Sequence, residues 1–334
     1  MQVESARGVQ TTSLAELRTG AVRAGQDLAT RELIVATGAD RIRFLHGIVT
    51  GNVAGTPVGG GGRSVLLTPK GHVVADMRIF VRPDDLWIVV APGLAGSTAA
   101  ALSRYAIMDD FAAAPRPGFA SIAVLGPAAA ERLAAAGLPP GELAARPLWS
   151  HADAGGAPGL WLARARELGA EGYWVAGDAA AVAAADARLA AAGVPALEGT
   201  LVEVARIAAG EPKTGAEITP DYFPMEVGLD DAIDYSKGCY LGQEPIVRIR
   251  DRGHINWRLV ALDVDGPDDP APGDTLESDA KARAGRVTSA ARAPGAAGVA
   301  LALAHVSVPE GSVVRIRHGD QVISAQVRVR GGAP

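Results

Sequence analysis

The only cysteine of the chain lies in a segment that also carries several charged residues. Residues 234–253 read DYSKGCYLGQEPIVRIRDRG, with Cys239 two residues after Lys237 and between two glycines. From Gln243 onward the pattern predicts a short helix, with Pro245 in its first turn, where a missing N–H is tolerated. A thiol just before a helix N-terminus and near an ammonium group ionises below the pKa of about 8.5 of a free thiol, whereas burial among apolar side chains has the opposite effect. The local sequence favours neither over the other.

A second candidate is an aspartate inside a predicted strand. Residues 72–81 read HVVADMRIFV, and alternate positions are apolar, which predicts a strand with one face in the core. Asp76 and Arg78 then share the opposite face, although aspartate is disfavoured in the middle of a strand. One interpretation is an ion pair between the two on a solvated face. The other is a carboxylate on the wall of a ligand cavity, where it accepts hydrogen bonds from a cation or an amine.

Composition limits the classes of protein. The chain has 334 residues, 48% of them hydrophobic and 21% charged, which is typical of a globular protein of two or three domains. The net charge of −5 argues against DNA or long RNA as a direct partner. No apolar run reaches the ~18 residues of a membrane span, and the first twenty residues lack a secretory signal pattern. A single cysteine excludes an intramolecular disulfide and an all-cysteine iron–sulfur site within one chain, so we expect a cytoplasmic protein without a metal site of its own.

The pattern of elements predicts two related α/β lobes. The first, over residues 28–115, has a strand at 31–36, a helix from about 37, three strands, a helix near 93–104 and a closing strand at 105–111. Four consecutive glycines at 59–62 are interpreted as a surface loop, because a phosphate-binding loop also needs a Lys-Ser/Thr pair and a following helix. The second lobe, over residues 116–253, repeats a similar order and includes a helix at 200–209 that ends at Gly210.

The C-terminal part changes character. Residues 254–330 contain five short segments with a period of two and a turn at 318–320. Val314 and Ile316 face one way and Arg315 and Arg317 the other. The pattern predicts a small β-barrel domain.

These motifs resemble a known family. KGCYLGQE, residues 237–244, resembles the signature K-G-C-[YF]-x-G-Q-E of the YgfZ family of folate-binding proteins, which are relatives of the glycine-cleavage T-protein, an aminomethyltransferase. FLHGIVTGNV and PKGHVVADMRIF in the first lobe are similar to further family stretches, as is the segment leading into the signature. The likeness covers roughly residues 30–330.

The resemblance implies an α+β fold. Two ferredoxin-like α/β lobes and a C-terminal β-barrel would form a three-domain ring around a central cavity that holds tetrahydrofolate or a folate derivative. It places Asp76 beside the reactive nitrogens of the folate and adds Lys237 and Cys239 as catalytic residues. We expect the Cys239 thiol to lie at the rim of the cavity. The folate-binding residues that it implies are Asp76, Arg206, Ala208, Tyr240, Gln243, Glu244 and Arg248.

One position departs from the family pattern. The family reads R-[IL]-E-A-G where this chain has RIAAG, so Ala208 stands in place of a glutamate that binds the pterin ring. A methyl group accepts no hydrogen bond, and loss of a charged acceptor costs about 1.5–3 kcal/mol. Glu211 is a candidate substitute, but Gly210 is expected to end the helix between the two.

The resemblance implies an accessory protein that supports assembly or repair of iron–sulfur enzymes, including radical enzymes that thiomethylate tRNA, with Cys239 as its working thiol. The alternative is a folate-dependent aminomethyltransferase in which Asp76 steers one-carbon transfer. A third interpretation is a scaffold that has lost folate and binds partners. The expected partners are folate and iron–sulfur client enzymes or assembly factors, and the expected state is a monomer.

Overall fold

The computed structural model describes residues 14–25, 31–279 and 281–328, and their strands form three sheets. The elements of the N-terminal part are β1 (Val22–Ala24), β2 (Glu32–Thr37), α1 (Arg41–Ile48), β3 (Gly61–Leu67), β4 (Val73–Val81), β5 (Leu86–Val90), α2 (Ala95–Ser103) and β6 (Ala112–Arg116). The middle part contains β7 (Phe119–Leu125), α3 (Ala129–Ala135), β8 (His151–Asp153), β9 (Leu160–Glu167), β10 (Ala170–Asp178), α4 (Ala179–Ala191), β11 (Ala196–Leu197), α5 (Thr200–Ala208) and α6 (Gln243–Arg252). The C-terminal strands are β12 (Trp257–Val264), β13 (Thr275–Ser278), β14 (Lys281–Arg292), β15 (Gly298–His305), β16 (Val313–His318) and β17 (Gln321–Arg328).

The first lobe is a five-stranded antiparallel sheet in the order β3-β4-β5-β2-β6, with α1 and α2 on one face. Without the edge strand β3, the order is that of a ferredoxin-like βαββαβ unit. The predicted alternation in β4 is confirmed, since Ala75, Met77 and Ile79 lie in the core under the helices. The closing strand was predicted at 105–111 but is β6, because residues 105–111 form turns before the chain returns to the sheet.

The second lobe has the strand order β11-β1-β7-β10-β9-β8. Strand β1 lies between β11 and β7, parallel to the former and antiparallel to the latter. The first described strand of the chain therefore belongs to the sheet of the second lobe, although it precedes all the strands of the first lobe. Without β1 and β8, the order is again ferredoxin-like.

An aromatic cluster joins the two lobes. Phe80 of β4 and Trp87 of β5 pack against Trp161 of β9, with ring centroids 5.0 and 5.2 Å apart, and Trp149 packs against Trp174 at 5.4 Å. All five side chains are buried. The face of β4 that carries Asp76 is therefore covered by the second lobe at its Phe80 end.

The glycine run at 59–62 is part of this contact, and its interpretation as a surface loop was wrong. Gly61 and Gly62 lie in β3, and Gly59 and Gly60 exchange backbone hydrogen bonds of 2.9 Å with Val81. A Cβ atom at Gly61 would lie 2.7 Å from the Phe80 ring and 2.8 Å from the Trp149 carbonyl oxygen. The glycines allow this close approach of the two lobes.

The C-terminal domain is a closed barrel of six strands in the order β12-β15-β14-β13-β16-β17. The sequence predicted five, because β13 has only four residues and follows a loop rich in Pro, Asp and Gly. The alternation of Val314 and Ile316 with Arg315 and Arg317 is confirmed, as both apolar side chains are fully buried. Residues 1–13, 26–30 and 329–330, on which parts of the predicted N-terminus, first lobe and last strand fall, lie outside the described residues.

Candidate functional site

A cavity of about 1500 Å³ opens between the two lobes and the segment that follows α5. Its lining includes Asp76 of β4, Arg206 and Ala208 of α5, and Asp231 near the start of the signature segment. The cavity-wall interpretation of Asp76 therefore agrees with its position, and Ala208 faces the same space. Both lobes contribute to the cavity wall, so the cavity depends on the packing of the lobes through their aromatic cluster.

Two arginines bind the Asp76 carboxylate. Arg63 of β3 donates from Nε to Oδ1 at 2.9 Å and from Nη2 to Oδ2 at 3.0 Å, and Arg78 donates from Nη1 to Oδ2 at 2.8 Å. Asp76 is only 9% exposed. Burial alone would raise the pKa of this carboxyl, but the two guanidinium groups outweigh burial and hold the pKa well below its usual range.

This geometry combines the two interpretations of Asp76. Asp76 pairs with Arg78, as the ion-pair interpretation predicted. The pair lies on a cavity wall, as the cavity interpretation predicted. Because both oxygens are engaged and the group stays ionised, Asp76 is poorly suited to take up a proton. Arg63 also reaches Asp231 at 3.2 Å, so it links the wall of the first lobe to the segment that leads to the signature.

Arg206 lines the cavity with a guanidinium group that is already engaged. Its donors reach Glu203 Oε2 at 2.8 and 3.1 Å, the carbonyl oxygen of Glu211 at 2.7 Å and Glu217 Oε2 at 3.3 Å. Arg206 is 4% exposed. It holds the chain after α5 in place, and Ala208 contributes only a methyl group and backbone to the cavity.

The cavity wall carries two further acids, Glu167 and Glu211. The sequence analysis did not identify Glu167, and it named Glu211 only as a candidate substitute for the missing glutamate. Glu167, at the end of β9, is 3% exposed, and its Oε1 binds Arg31. Glu211 accepts the backbone N–H groups of Leu168 and Gly169 at 2.9 and 3.0 Å. Burial raises the pKa of Glu211, and the nearby charge of Glu167 adds to the rise. Glu167 lies on the otherwise apolar face of β9, and a charged residue on such a face is the sequence feature that could have identified it as a candidate site residue.

Lys237 anchors the signature segment to the first lobe. Its ammonium donates to the carbonyl oxygens of His46, Val49 and Gly51 at 2.5, 2.8 and 2.8 Å, at the C-terminal end of α1. A cation is favourable there because the helix dipole is negative at that end. Burial lowers the pKa of Lys237 to about 8.

Cys239 is exposed, and it is not among the residues that line the cavity, contrary to the expected position at the rim. The reason is the path of the chain around the edge strand β3. Tyr240 is buried with Val65 and Leu67 on one side of that strand, and Leu241 packs on the helix-covered side. The loop therefore presents its thiol outward.

The rest of the signature starts α6 as predicted. Gly242 adopts a positive φ of 77° before Gln243, and Gly253 ends the helix. Glu244 and Arg248 form an exposed pair at 2.8 Å along the helix surface. The structure thus brings together Asp76, Arg206 and Ala208 at the cavity, and places the other predicted site residues, Lys237, Cys239, Tyr240, Gln243, Glu244 and Arg248, outside its lining.

Within residues 14–25, 31–279 and 281–328, no three His, Cys, Asp or Glu side chains are arranged to hold a metal ion. No helix in the same ranges is long and apolar enough to cross a membrane.

The two lobes, the barrel and the cavity between them define the fold of the glycine-cleavage aminomethyltransferases. The chain superposes on the glycine cleavage system aminomethyltransferase T of Bartonella henselae with a TM-score of 0.85, over 97% of this chain and 90% of the other, at 22% sequence identity. At that identity the likeness shows the fold. A family model for the GCVT N-terminal domain matches residues 12–237, and the chain belongs to that family.

Curated relatives carry several different names. A chloroplast protein of Arabidopsis thaliana, provisionally named a transferase, is 26% identical over 267 residues, which are 79% of this chain and 60% of the relative. The iron–sulfur cluster assembly factor IBA57 homolog of Neurospora crassa mitochondria is 26% identical over 279 residues, covering 73% and 54%. The tRNA-modifying protein YgfZ of Yersinia pseudotuberculosis is 27% identical over 250 residues, covering 73% and 72%. The chain thus spans a little over half the length of the first two relatives.

Proposed function

We propose that the chain binds tetrahydrofolate or a related folate in its cavity and supports the assembly or repair of iron–sulfur enzymes, with Cys239 as its working thiol. One observation carries the proposal: a large cavity between the lobes and an outward-facing thiol occur in one chain, at opposite ends of a short segment. Asp231 at the cavity and Cys239 on the surface are eight residues apart. The names of the iron–sulfur assembly and tRNA-modifying relatives support the accessory function.

The cavity residues fit a folate. A pterin is a flat ring with N–H donors on one edge, and the wall offers the Trp149 ring and the carboxylates of Glu167 and Glu211. The volume of about 1500 Å³ exceeds the roughly 300–1,000 Å³ of ordinary ligand pockets, so the cavity has room for a pterin and its aminobenzoate. A bound folate supplies a carrier for a one-carbon group. The residues of this chain would bind the ring, orient it and exclude part of the water.

The second candidate is one-carbon transfer, which the fold and the relatives named aminomethyltransferase favour. The state of Asp76 speaks against it. A carboxylate that two arginines hold ionised accepts a proton poorly near neutral pH, so it offers little as a general base. We therefore rank the accessory function first.

The exposed thiol suits exchange with a partner. A thiolate attacks a disulfide or persulfide of a second protein, takes one sulfur into a new S–S bond and releases the other as a thiolate. One thiol cannot hold a cluster, since a cluster needs about four ligands. Lys237 sets the position of the loop, because its ammonium is bound to the end of α1 and not to the thiol. We extend the proposal to clients that include tRNA-thiomethylating radical enzymes.

The test compares Cys239→Ser with Asp251→Asn, an exposed change on α6 outside the signature. Calorimetric titration with tetrahydrofolate should give the same affinity for both variants and the wild type. In cells that lack the endogenous gene, only Cys239→Ser should fail to restore the activity of an iron–sulfur enzyme. A fully active serine variant would show that the thiol has no working function. Absence of tetrahydrofolate binding to the wild type would refute the folate part, and methylene transfer from an aminomethyl donor would establish the second candidate.

A further inference from the structure

Two acids, the buried Glu167 and the partly buried Glu211, occupy the cavity wall that also holds Ala208. Glu167 ends β9, and Leu168 and Gly169 form the turn into β10. Glu211 comes from the chain after α5 and binds both N–H groups of that turn. Because Glu211 binds the two residues that directly follow Glu167, both side chains belong to the same part of the wall. Burial raises the pKa of Glu211, and the charge of Glu167 adds to that rise. Both acids are part of the cavity lining.

These carboxylates keep acceptor capacity that protein groups do not use. A carboxylate has about four lone-pair sites. Each oxygen of Glu211 accepts one backbone N–H, so about half of that capacity remains. Glu167 Oε1 binds Arg31, but Oε2 is buried and has no hydrogen-bond partner among the residues that the structure describes. A buried acceptor without a partner costs free energy, and a ligand that donates to it recovers that cost.

The acceptors specify the chemistry of the ligand edge. Ionised carboxylates accept hydrogen bonds and donate none, so the matching ligand presents two or more N–H groups side by side. The 2-amino-4-oxopyrimidine edge of a pterin does so, with its amino group and the adjacent ring N–H. Ala208, on the same wall, offers no acceptor on its side chain.

We propose that Glu211, with Glu167 beside it, accepts the N–H donors of the pterin edge and so replaces the acceptor that position 208 lacks. The inference rests on the proposed function, because the pterin is the ring of the proposed folate. It assigns ring specificity to the turn of the β9–β10 hairpin and the chain that follows α5. Glu211 also caps the hairpin turn, so the test has to separate ligand binding from structural support.

Calorimetry measures binding of tetrahydrofolate, 6-hydroxymethylpterin and 6-hydroxymethyllumazine, which carries an oxo group where the pterin has its amino group. Wild-type protein should prefer the pterin over the lumazine by at least about 10-fold, because an oxo group repels the carboxylate. Glu211→Gln should weaken tetrahydrofolate binding by about 10- to 100-fold and reduce the preference for pterin. The control is Glu171→Gln, a cavity-lining acid on the same hairpin that is 63% exposed and pairs with Arg164. It should bind as the wild type does.

Thermal unfolding of each variant shows whether the hairpin turn is intact. If Glu211→Gln does not fold, the test uses two other measurements. A preference of the wild type for pterin over lumazine, together with weaker tetrahydrofolate binding by Glu167→Gln, would support the inference, and absence of either would overturn it. Equal affinity of wild type and Glu211→Gln for tetrahydrofolate, or equal binding of pterin and lumazine to the wild type, would overturn the inference and leave the proposed function standing. Failure of the wild type to bind tetrahydrofolate would overturn both.

Discussion

Replacing Asp76 by Asn tests the central ion-pair network. Asparagine keeps the shape of the side chain but removes the charge that two guanidinium groups share through contacts of 2.8–3.0 Å. The Arg78 side chain is only 12% exposed, so the variant leaves a largely buried positive charge without its partner. Breaking a buried pair in this way costs about 3–5 kcal/mol of unfolding free energy.

The matched control is Asp231→Asn. Asp231 binds the same Arg63 at 3.2 Å, but its side chain is 65% exposed. An exposed pair contributes about 0–1 kcal/mol because water and salt screen it. Urea unfolding, followed by the fluorescence of the inter-lobe tryptophans, should therefore show a large loss for Asp76→Asn and a small loss for Asp231→Asn. Similar losses in both variants would refute the argument from burial.

The same pair predicts a dependence on pH. The folded-state pKa of Asp76 lies below its unfolded value of about 3.9. Its stabilisation is therefore complete above that unfolded value and is lost as the pH falls toward the folded pKa. The difference in unfolding free energy between wild type and Asp76→Asn should stay constant from about pH 7 to 5 and narrow below about pH 4. A difference that does not change between pH 6 and 3 would mean that Asp76 is not held ionised by its arginines.

Two further predictions concern the signature segment. Lys237→Met should remove one hydrogen bond to α1 and two to the chain just after it, and so speed amide hydrogen exchange across residues 235–241; unchanged exchange would contradict the anchoring function. Gly242→Ala should destabilise the protein by more than about 1 kcal/mol, because φ is 77° and a Cβ would lie 2.4 Å from the Thr68 carbonyl oxygen. Gly238→Ala, with nothing within 4 Å of the added Cβ, is the control, and equal denaturation midpoints would refute the steric argument.

Local patterns predicted much of the element structure. The alternation in β4 separated its core face from the face of Asp76, and the pattern from Gln243 onward located the start of α6. The same kind of pattern predicted five of the six barrel strands. Each of these features depends on side chains only a few residues apart, which is the range over which backbone geometry sets periodicity.

The site residues were less accessible to this reasoning. Arg63 was not a candidate, because its contact with Asp76 depends on the register of β3 against β4. Glu167 was missed because only packing of the second lobe against the first turns its strand face into a cavity wall. Cys239 was expected at the cavity, but the anchor of Lys237 on α1 and the path around β3 direct it outward.

The sequence by itself determined the classes of element, the three-part organisation and the signature that relates the chain to folate-binding proteins. It also determined that position 208 offers no acceptor. Only the tertiary structure decided which charges meet: that Asp76 shares two arginines, that Lys237 binds a helix end, and that Glu167 and Glu211 face the cavity. The physical reason is that ion pairs and cavities form between segments distant in sequence, so their energies depend on sheet register and lobe packing, which no local periodicity encodes.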